Sequence, residues 1–212
     1  ETFRQIGGAG FPLQIVQGAY TEKGAASKYG AVKFDSTYMF IGGGVNEQSS
    51  IWRQTSSASA TKISTDAIDY EIQQFTKAEI AQAFAMTYSA NGQIFALFTF
   101  KSNRIPSKTF VFNGTASALG GGLVWFELQS GVTDSAWRVN TIIKAYGKIL
   151  LGDDVDGRIG VLDDATFTDY GSPLFRQATT SPFNQDGLPI FAGEFEATFE
   201  SGTGLNTGQG SD

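Results

Sequence analysis

Apolar residues gather along the chain in short runs separated by glycine and small polar residues. Phe84, Met86 and Tyr88 alternate with Ala83, Ala85 and Thr87, and after Asn91-Gly92 the run Ile94-Phe95-Ala96-Leu97-Phe98 follows. A period of two predicts strands, and Asn-Gly between two such runs predicts a tight hairpin. In residues 94–100, 38–41 and 149–151 both side-chain parities are apolar, which predicts strands covered on both faces and sheets stacked face to face.

The strands recur. Turn signals at Asp35-Ser36-Thr37, Ala90-Asn91-Gly92, Tyr146-Gly147-Lys148 and Glu200-Ser201-Gly202 fall roughly 55 residues apart. After each of the first three comes an apolar strand, then a third strand (Ser50-Ile51-Trp52-Arg53, Thr109-Phe110-Val111-Phe112, Arg158-Ile159-Gly160-Val161-Leu162). A fourth is expected at Thr61-Lys62-Ile63, Val124-Trp125-Phe126-Glu127-Leu128 and Leu174-Phe175-Arg176-Gln177. Four short strands per repeat is the blade of a β-propeller, with a spacing close to the kelch class; a β-sandwich or jelly roll is the competing all-β architecture. The blades are placed at 28–65, 82–131 and 139–180, with the start of a further blade at 190–212. This array does not close a ring of about six blades, so an excerpt of a longer chain is expected.

One segment departs from the period of two. Ser64-Thr65-Asp66 precedes Ile68, Ile72 and Phe75, with Asp69 and Glu71 near the start; this predicts one short capped helix inserted at 66–80 and set against the propeller's rim. Two uncharged stretches, 81–100 and 109–126, are broken by Ser89-Ala90-Asn91-Gly92-Gln93 and by Gly120-Gly121-Gly122, so they read as hairpins and not as membrane spans. The first twenty residues hold no basic segment followed by an apolar core, so no secretory signal is read there.

Composition narrows the chemistry. With 41% hydrophobic and 17% charged residues the chain is expected to fold. It has no Cys and no His, which removes disulfides, thiolate zinc sites and nucleophiles activated by His. The net charge of −6 gives no overall field toward phosphate backbones, and sequence-specific nucleic-acid binding is not expected.

The remaining motifs each have a plain reading. Asp154, Asp156, Gly157, Ile159 and Asp163 match positions 3, 5, 6, 8 and 12 of a calcium loop, but Gly152 stands at position 1, and a β-turn between strands is the preferred reading. Glu127, Asp134, Glu194 and Glu196 could supply the carboxylate pair of a glycosidase, although Glu194 and Glu196 read as a solvated strand edge. Trp52, Trp125 and Trp137 could stack on sugars but are expected to be core. Asn113-Gly114-Thr115 fits a glycosylation triplet and reads as a turn. The triplets at 42–44 and 120–122 lack the Lys-Ser or Lys-Thr of a phosphate loop and read as bulges or loop hinges. No catalytic, cofactor-binding or metal residue is assigned.

Taken in order, the segments Ile15-Val16-Gln17-Gly18-Ala19-Tyr20-Thr21-Glu22, Ile51-Trp52-Arg53, Lys62-Ile63-Ser64-Thr65-Asp66-Ala67-Ile68, Trp125-Phe126-Glu127-Leu128 and Ser130-Gly131 resemble the packaged-DNA stabilisation protein family of short-tailed phages. Ala145-Tyr146-Gly147-Lys148, Gly152-Asp153, Asp156-Gly157-Arg158-Ile159, Leu162-Asp163, Phe167-Thr168-Asp169-Tyr170-Gly171 and Gly208-Gln209-Gly210-Ser211-Asp212 keep the same order. The likeness runs from about residue 13 to the last residue and rests on collinearity. Asp66 stands where members of the family often carry His, and the loop at 116–122 differs.

The resemblance implies a structural tail component, also called a tail accessory or hub protein. It would be made in the host cytoplasm and located in the virion, where a ring of copies, expected to be a hexamer, plugs the DNA channel below the portal and adaptor. Its partners would then be the portal or adaptor, the tail needle and the tailspikes. An acidic surface facing that channel would repel DNA and let it slide. Contacts are expected at Gly43, Gly44, Asn46 and Glu47 in the loop 43–49 and at Asp66, Asp69 and Gln73 on the inserted helix. The alternative is a propeller that binds or degrades glycans; a protein-binding propeller of cellular origin is a third reading.

Overall fold

The computed structural model describes residues 3–179 except 9, 19, 57, 58 and 167, together with 194 and 196. An N-terminal hairpin pairs β1 (Phe3–Gln5) with β2 (Leu13–Ile15). The first large sheet follows, with β3 (Gly24–Ala25), β4 (Ala31–Phe34), β5 (Thr37–Gly43), β6 (Ser50–Gln54) and β7 (Ala60–Lys62). Both β3 and β4 pair with β5, so together they form one edge strand interrupted at residues 26–30. Two helices come next, α1 (Asp66–Gln73) and α2 (Lys77–Ala81).

The second sheet is a meander of β8 (Phe84–Ala90), β9 (Gln93–Phe100), β10 (Lys108–Asn113) and β11 (Trp125–Glu127), with α3 (Gly114–Gly120) between the last two. The third comprises β12 (Val139–Ala145), β13 (Lys148–Asp153) and β14 (Ile159–Val161), and a small hairpin of β15 (Thr168–Asp169) and β16 (Ser172–Pro173) follows it.

The first hairpin turn of every large sheet is left-handed at its first residue: Asp35 has φ 54°, Asn91 51° and Tyr146 54°. Gly92 and Gly147, at φ 72° in each case, supply the second positive φ in two of these turns, the geometry that matches strand twist. The fourth expected turn, at 200–202, and the further blade at 190–212 lie outside the described residues, apart from the exposed Glu194 and Glu196.

The sheets stack in sequence order. Phe98, Phe100, Phe110 and Phe112 on one face of the second sheet meet Met39, Ile41 and Ile51 of the first. Leu97 and Val111 on its other face meet Val139 and Leu151 of the third, with Trp137. The second sheet is therefore covered on both sides, as its unbroken apolar runs predict. Residues 38–41 are not: Met39 and Ile41 are buried but Tyr38 is exposed, because the first sheet ends the described stack. The first strands β4, β8 and β12 run side by side along one edge of the stack, with a parallel bridge between Tyr29 and Phe84.

Three local expectations need correction. The insertion is two helices, because Thr76 and Glu79 form a reciprocal capping box that starts a second helix after a gap of three residues. The expected burial of Ile68 and Ile72 is seen, and Phe75 and Ile80 join them in the core between the first two sheets. Asn113 caps α3, accepting the Ala116 N–H at 2.9 Å, and Gly121 closes it at φ 67°, so the Asn-Gly-Thr and Gly-Gly-Gly signals mark a helix's two ends. Leu174–Gln177 carries no strand; Asp163 closes a turn after β14 by accepting from Ala165 and Thr166, and Leu174 and Phe175 are exposed. Among the described residues no helix is long and apolar enough to cross a membrane.

Candidate interaction surface

The stack has two ends of different chemistry. The hairpin end carries the turns 35–36, 91–92 and 146–147, with α3. The loop end carries residues 43–49, α1 and α2, and the segments 101–107, 128–138 and 153–158. Every ion pair formed between described residues lies at the loop end.

Both expected contact segments come to the loop end of the first sheet. Glu47 folds back to accept the Gly44 N–H at 2.8 Å and pairs with Lys23, and the Lys23 hydrogen bond holds its carboxyl below the usual range. Gly43 and Gly44 are half-buried beneath it, while Asn46, left-handed at φ 63°, and its neighbour Val45 are exposed. On α1, Asp66 and Gln73 face solvent. Asp69 does not: it is buried and accepts from Ser64 Oγ at 2.5 Å and Lys62 Nζ at 2.9 Å. Asp69 thus ties α1 to the sheet, and the free surface of the helix is carried by Asp66, Tyr70 and Gln73.

A tighter network, absent from the sequence expectations, fixes the loop end of the third sheet. Arg138 donates to both oxygens of Asp153, at 2.8 and 2.5 Å, and the Asp153 side chain has no exposed surface. That bond is the main reason the Asp153 carboxyl is held far below the ordinary carboxylate range. Arg138 and Arg158 lie over the Tyr170 ring at 4.8 and 4.5 Å, and Ser130 bonds Asp169. The arrangement clamps the small hairpin onto β13 and β14. The sequence signal was two arginines and two aspartates that do not share one strand, which no periodicity connects.

The calcium-loop positions are pulled apart. Asp154 pairs with Lys101 at 2.7 Å and Asn140 at 3.1 Å, Asp156 pairs with Arg158 at 2.7 Å, and Asp163 lies across β14 at the hairpin end. Among the described residues no three acidic groups are placed to hold a metal.

Glu127 and Asp134 do meet. Both bond Lys108 Nζ, at 3.2 and 2.9 Å, so their oxygens lie within about 6 Å, a separation that glycoside hydrolysis can use. They edge a groove of ≈ 1050 Å³ lined also by Phe126, Leu128 and Val132. Lys108, however, sits between them. Its burial opposes the ammonium charge, but the bonds to Asp134 and Glu127 outweigh that and raise its pKa. Of the tryptophans, the half-buried Trp125 also lines this groove, while donating to the Ile63 carbonyl at 2.9 Å and packing on Phe112; Lys23 lies 4.7 Å over Trp52, and Trp137 is buried.

A family model described as Phage_stabilise, Bacteriophage P22 Gp10, beta-propeller, matches residues 1–167. No curated protein matches the chain.

Proposed function

The chain belongs to the phage stabilisation family of bacteriophage P22 Gp10 and is a phage structural protein of β-propeller fold; we propose that it acts in the virion tail, stabilising packaged DNA by closing the channel below the portal or adaptor. In this reading copies assemble as a hexameric ring, and the loop end docks the neighbouring tail components, among them the needle or tailspikes. Asn46, Asp66 and Gln73 are its outward contacts; Gly43, Gly44, Glu47 and Asp69 hold the contact elements in place.

The observation that carries the reading is the loop end itself. Lys101–Asp154 and Arg104–Glu79 join segments far apart in sequence, and Arg138–Asp153 pins a third. Exposed pairs add little stability, about 0–1 kcal/mol each, but they preset loop geometry, and a preset surface loses less entropy on docking. Cryo-electron microscopy of the virion tests this: density for the chain below the portal, loop end against a neighbour, is expected. Its absence from the particle would refute the proposal.

The glycan-degrading alternative is favoured by one observation, the proximity of Glu127 and Asp134. Incubating the purified chain with host surface polysaccharide should release no fragments; release that is abolished in Asp134→Asn would establish that activity instead.

A further inference from the structure

We propose that the cleft at the hairpin end of the first strands binds a phosphate-type oxyanion, held between Lys33 and Lys144. The register brings these residues together. Lys33, Ser89 and Lys144 are each the penultimate residue of the first strand of their sheet, in β4, β8 and β12, and β8 lies beside both of the others. Equivalent positions on three parallel neighbours thus present Lys, Ser and Lys to one cleft of ≈ 370 Å³, which Thr87 and Tyr88 also line, above a floor of isoleucines.

Charge singles the cleft out. Lys23, Lys62, Lys101, Lys108, Arg104, Arg138 and Arg158 all pair with carboxylates at the loop end. Lys33 and Lys144 have no hydrogen-bond or ion-pair partner among the described residues. The strands β4, β8 and β12 contain no Asp or Glu, and Asp35, in the adjoining turn, is the one carboxylate on the cleft wall. Lys148, Asp163 and Asp164 stand in a neighbouring cleft of the same end. Two ammonium groups facing one concavity repel each other, and an oxyanion between them reverses the sign of that interaction. The hydroxyls of Thr87 and Ser89 supply neutral donors for its remaining oxygens. At about 30 Å³ per water, the cleft has room for a phosphate with part of its hydration shell or with an ester substituent.

The test is the thermal midpoint of the full chain against inorganic phosphate, with chloride holding ionic strength constant. A saturable rise is expected in the native protein and in Lys77→Met, whose lysine is also unpaired but lies on α2 at the loop end. The rise should vanish in Lys33→Met/Lys144→Met. If the double variant does not fold, Lys33→Gln and Lys144→Gln singly should each weaken phosphate binding roughly tenfold. A duplex DNA oligonucleotide in a second arm identifies the source: competition with phosphate assigns the site to a DNA backbone phosphate, and no competition assigns it to a free ion. A response no larger than chloride gives, or one unchanged by removing both lysines, overturns the proposal.

Discussion

Gly42→Ala should cost far more than its size suggests. A Cβ at Gly42 would stand 1.9 Å from the Gly24 carbonyl oxygen, 2.9 Å from its carbon and 3.1 Å from Ala25 Cα. All three are backbone atoms, so no rotamer change relieves them. To reach an ordinary contact, β3 must retreat from β5 by more than about 1 Å. That movement breaks the pairing of Gly24 with Gly43 and Ala25 with Gly42 and strains the 2.8 Å bond from Ala26 N–H to Ile41 O. With roughly 1 kcal/mol net for each backbone bond, and 1–3 kcal/mol for overpacking if the sheet holds instead, the loss is about 2–3 kcal/mol. Gly24→Ala, on the partner strand, is the control: its Cβ meets only the Gly43 oxygen, at 3.9 Å, so the change should stay within about 0.5 kcal/mol. Urea unfolding of both variants gives the two values, and amide exchange at Ala26 shows whether β3 has left the sheet. Equal costs, or a Gly42→Ala protein as stable as the parent, would refute the close approach.

Phe98→Ala, removing a fully buried ring between the first two sheets, should cost about 3–5 kcal/mol by urea unfolding, whereas Phe126→Ala, at a residue 40% exposed, should cost under about 1.5 kcal/mol; similar losses would contradict the stacking order. Tyr146 is 94% exposed at φ 54°, so Tyr146→Asn should raise stability by about 0.5–1 kcal/mol through relief of left-handed strain, read as a higher thermal midpoint; a lower midpoint would mean the ring is held. The Glu79 carboxyl is lowered to about 2 by the Ser102 hydroxyl, the Thr76 N–H and Arg104. Its contribution is full above the unfolded value of about 4.3 and fades as pH falls toward 2. The stability gap between the native protein and Glu79→Gln should therefore narrow between pH 6 and pH 2.5, and a constant gap would argue against that reading.

The parts of the fold that repeat were legible because hairpins and covered strands leave periodic marks. Asn91-Gly92 and the doubly apolar run 94–100 specify a turn and a central strand almost unaided. The turns at Asp35 and Tyr146 were found by spacing: Asp tolerates a positive φ but is followed by Ser36 in place of glycine, and Tyr does not favour one. What stayed hidden was decided by capping and by charge. Thr76 and Asn113 each carry a short helix through side-chain bonds to one or two N–H groups, too local to alter hydrophobic period. The inward turn of Asp69 depends on Ser64 and Lys62, and nothing in the spacing 62, 64, 69 distinguishes it from the exposed Asp66. That Lys33 and Lys144 line one cleft follows from strand register across separate sheets, which a single chain reveals only once the sheets are aligned.

The distribution of carboxylates also bears on chemistry. A glycosidase needs one carboxyl that keeps its proton near neutral pH, which requires desolvation or a like charge to raise its pKa. Glu47, Glu79, Asp153, Asp154 and Asp163 all move the other way, each led by a hydrogen bond from Lys23, Ser102, Arg138, Lys101 or Thr166. Where Glu127 and Asp134 approach, Lys108 Nζ lies between them and bonds both. A site arranged this way keeps acids charged and joined to neighbouring elements, which suits loops that must hold position under load. The same bonds explain why the loop end can be rich in charge while most of its cations are taken by its own acids; what it also offers a partner is shape, with Val45, Tyr70, Val132 and Val155 exposed. Lys33 and Lys144, unpaired at the opposite end, share one cleft there, where a ligand from outside the chain can complete them.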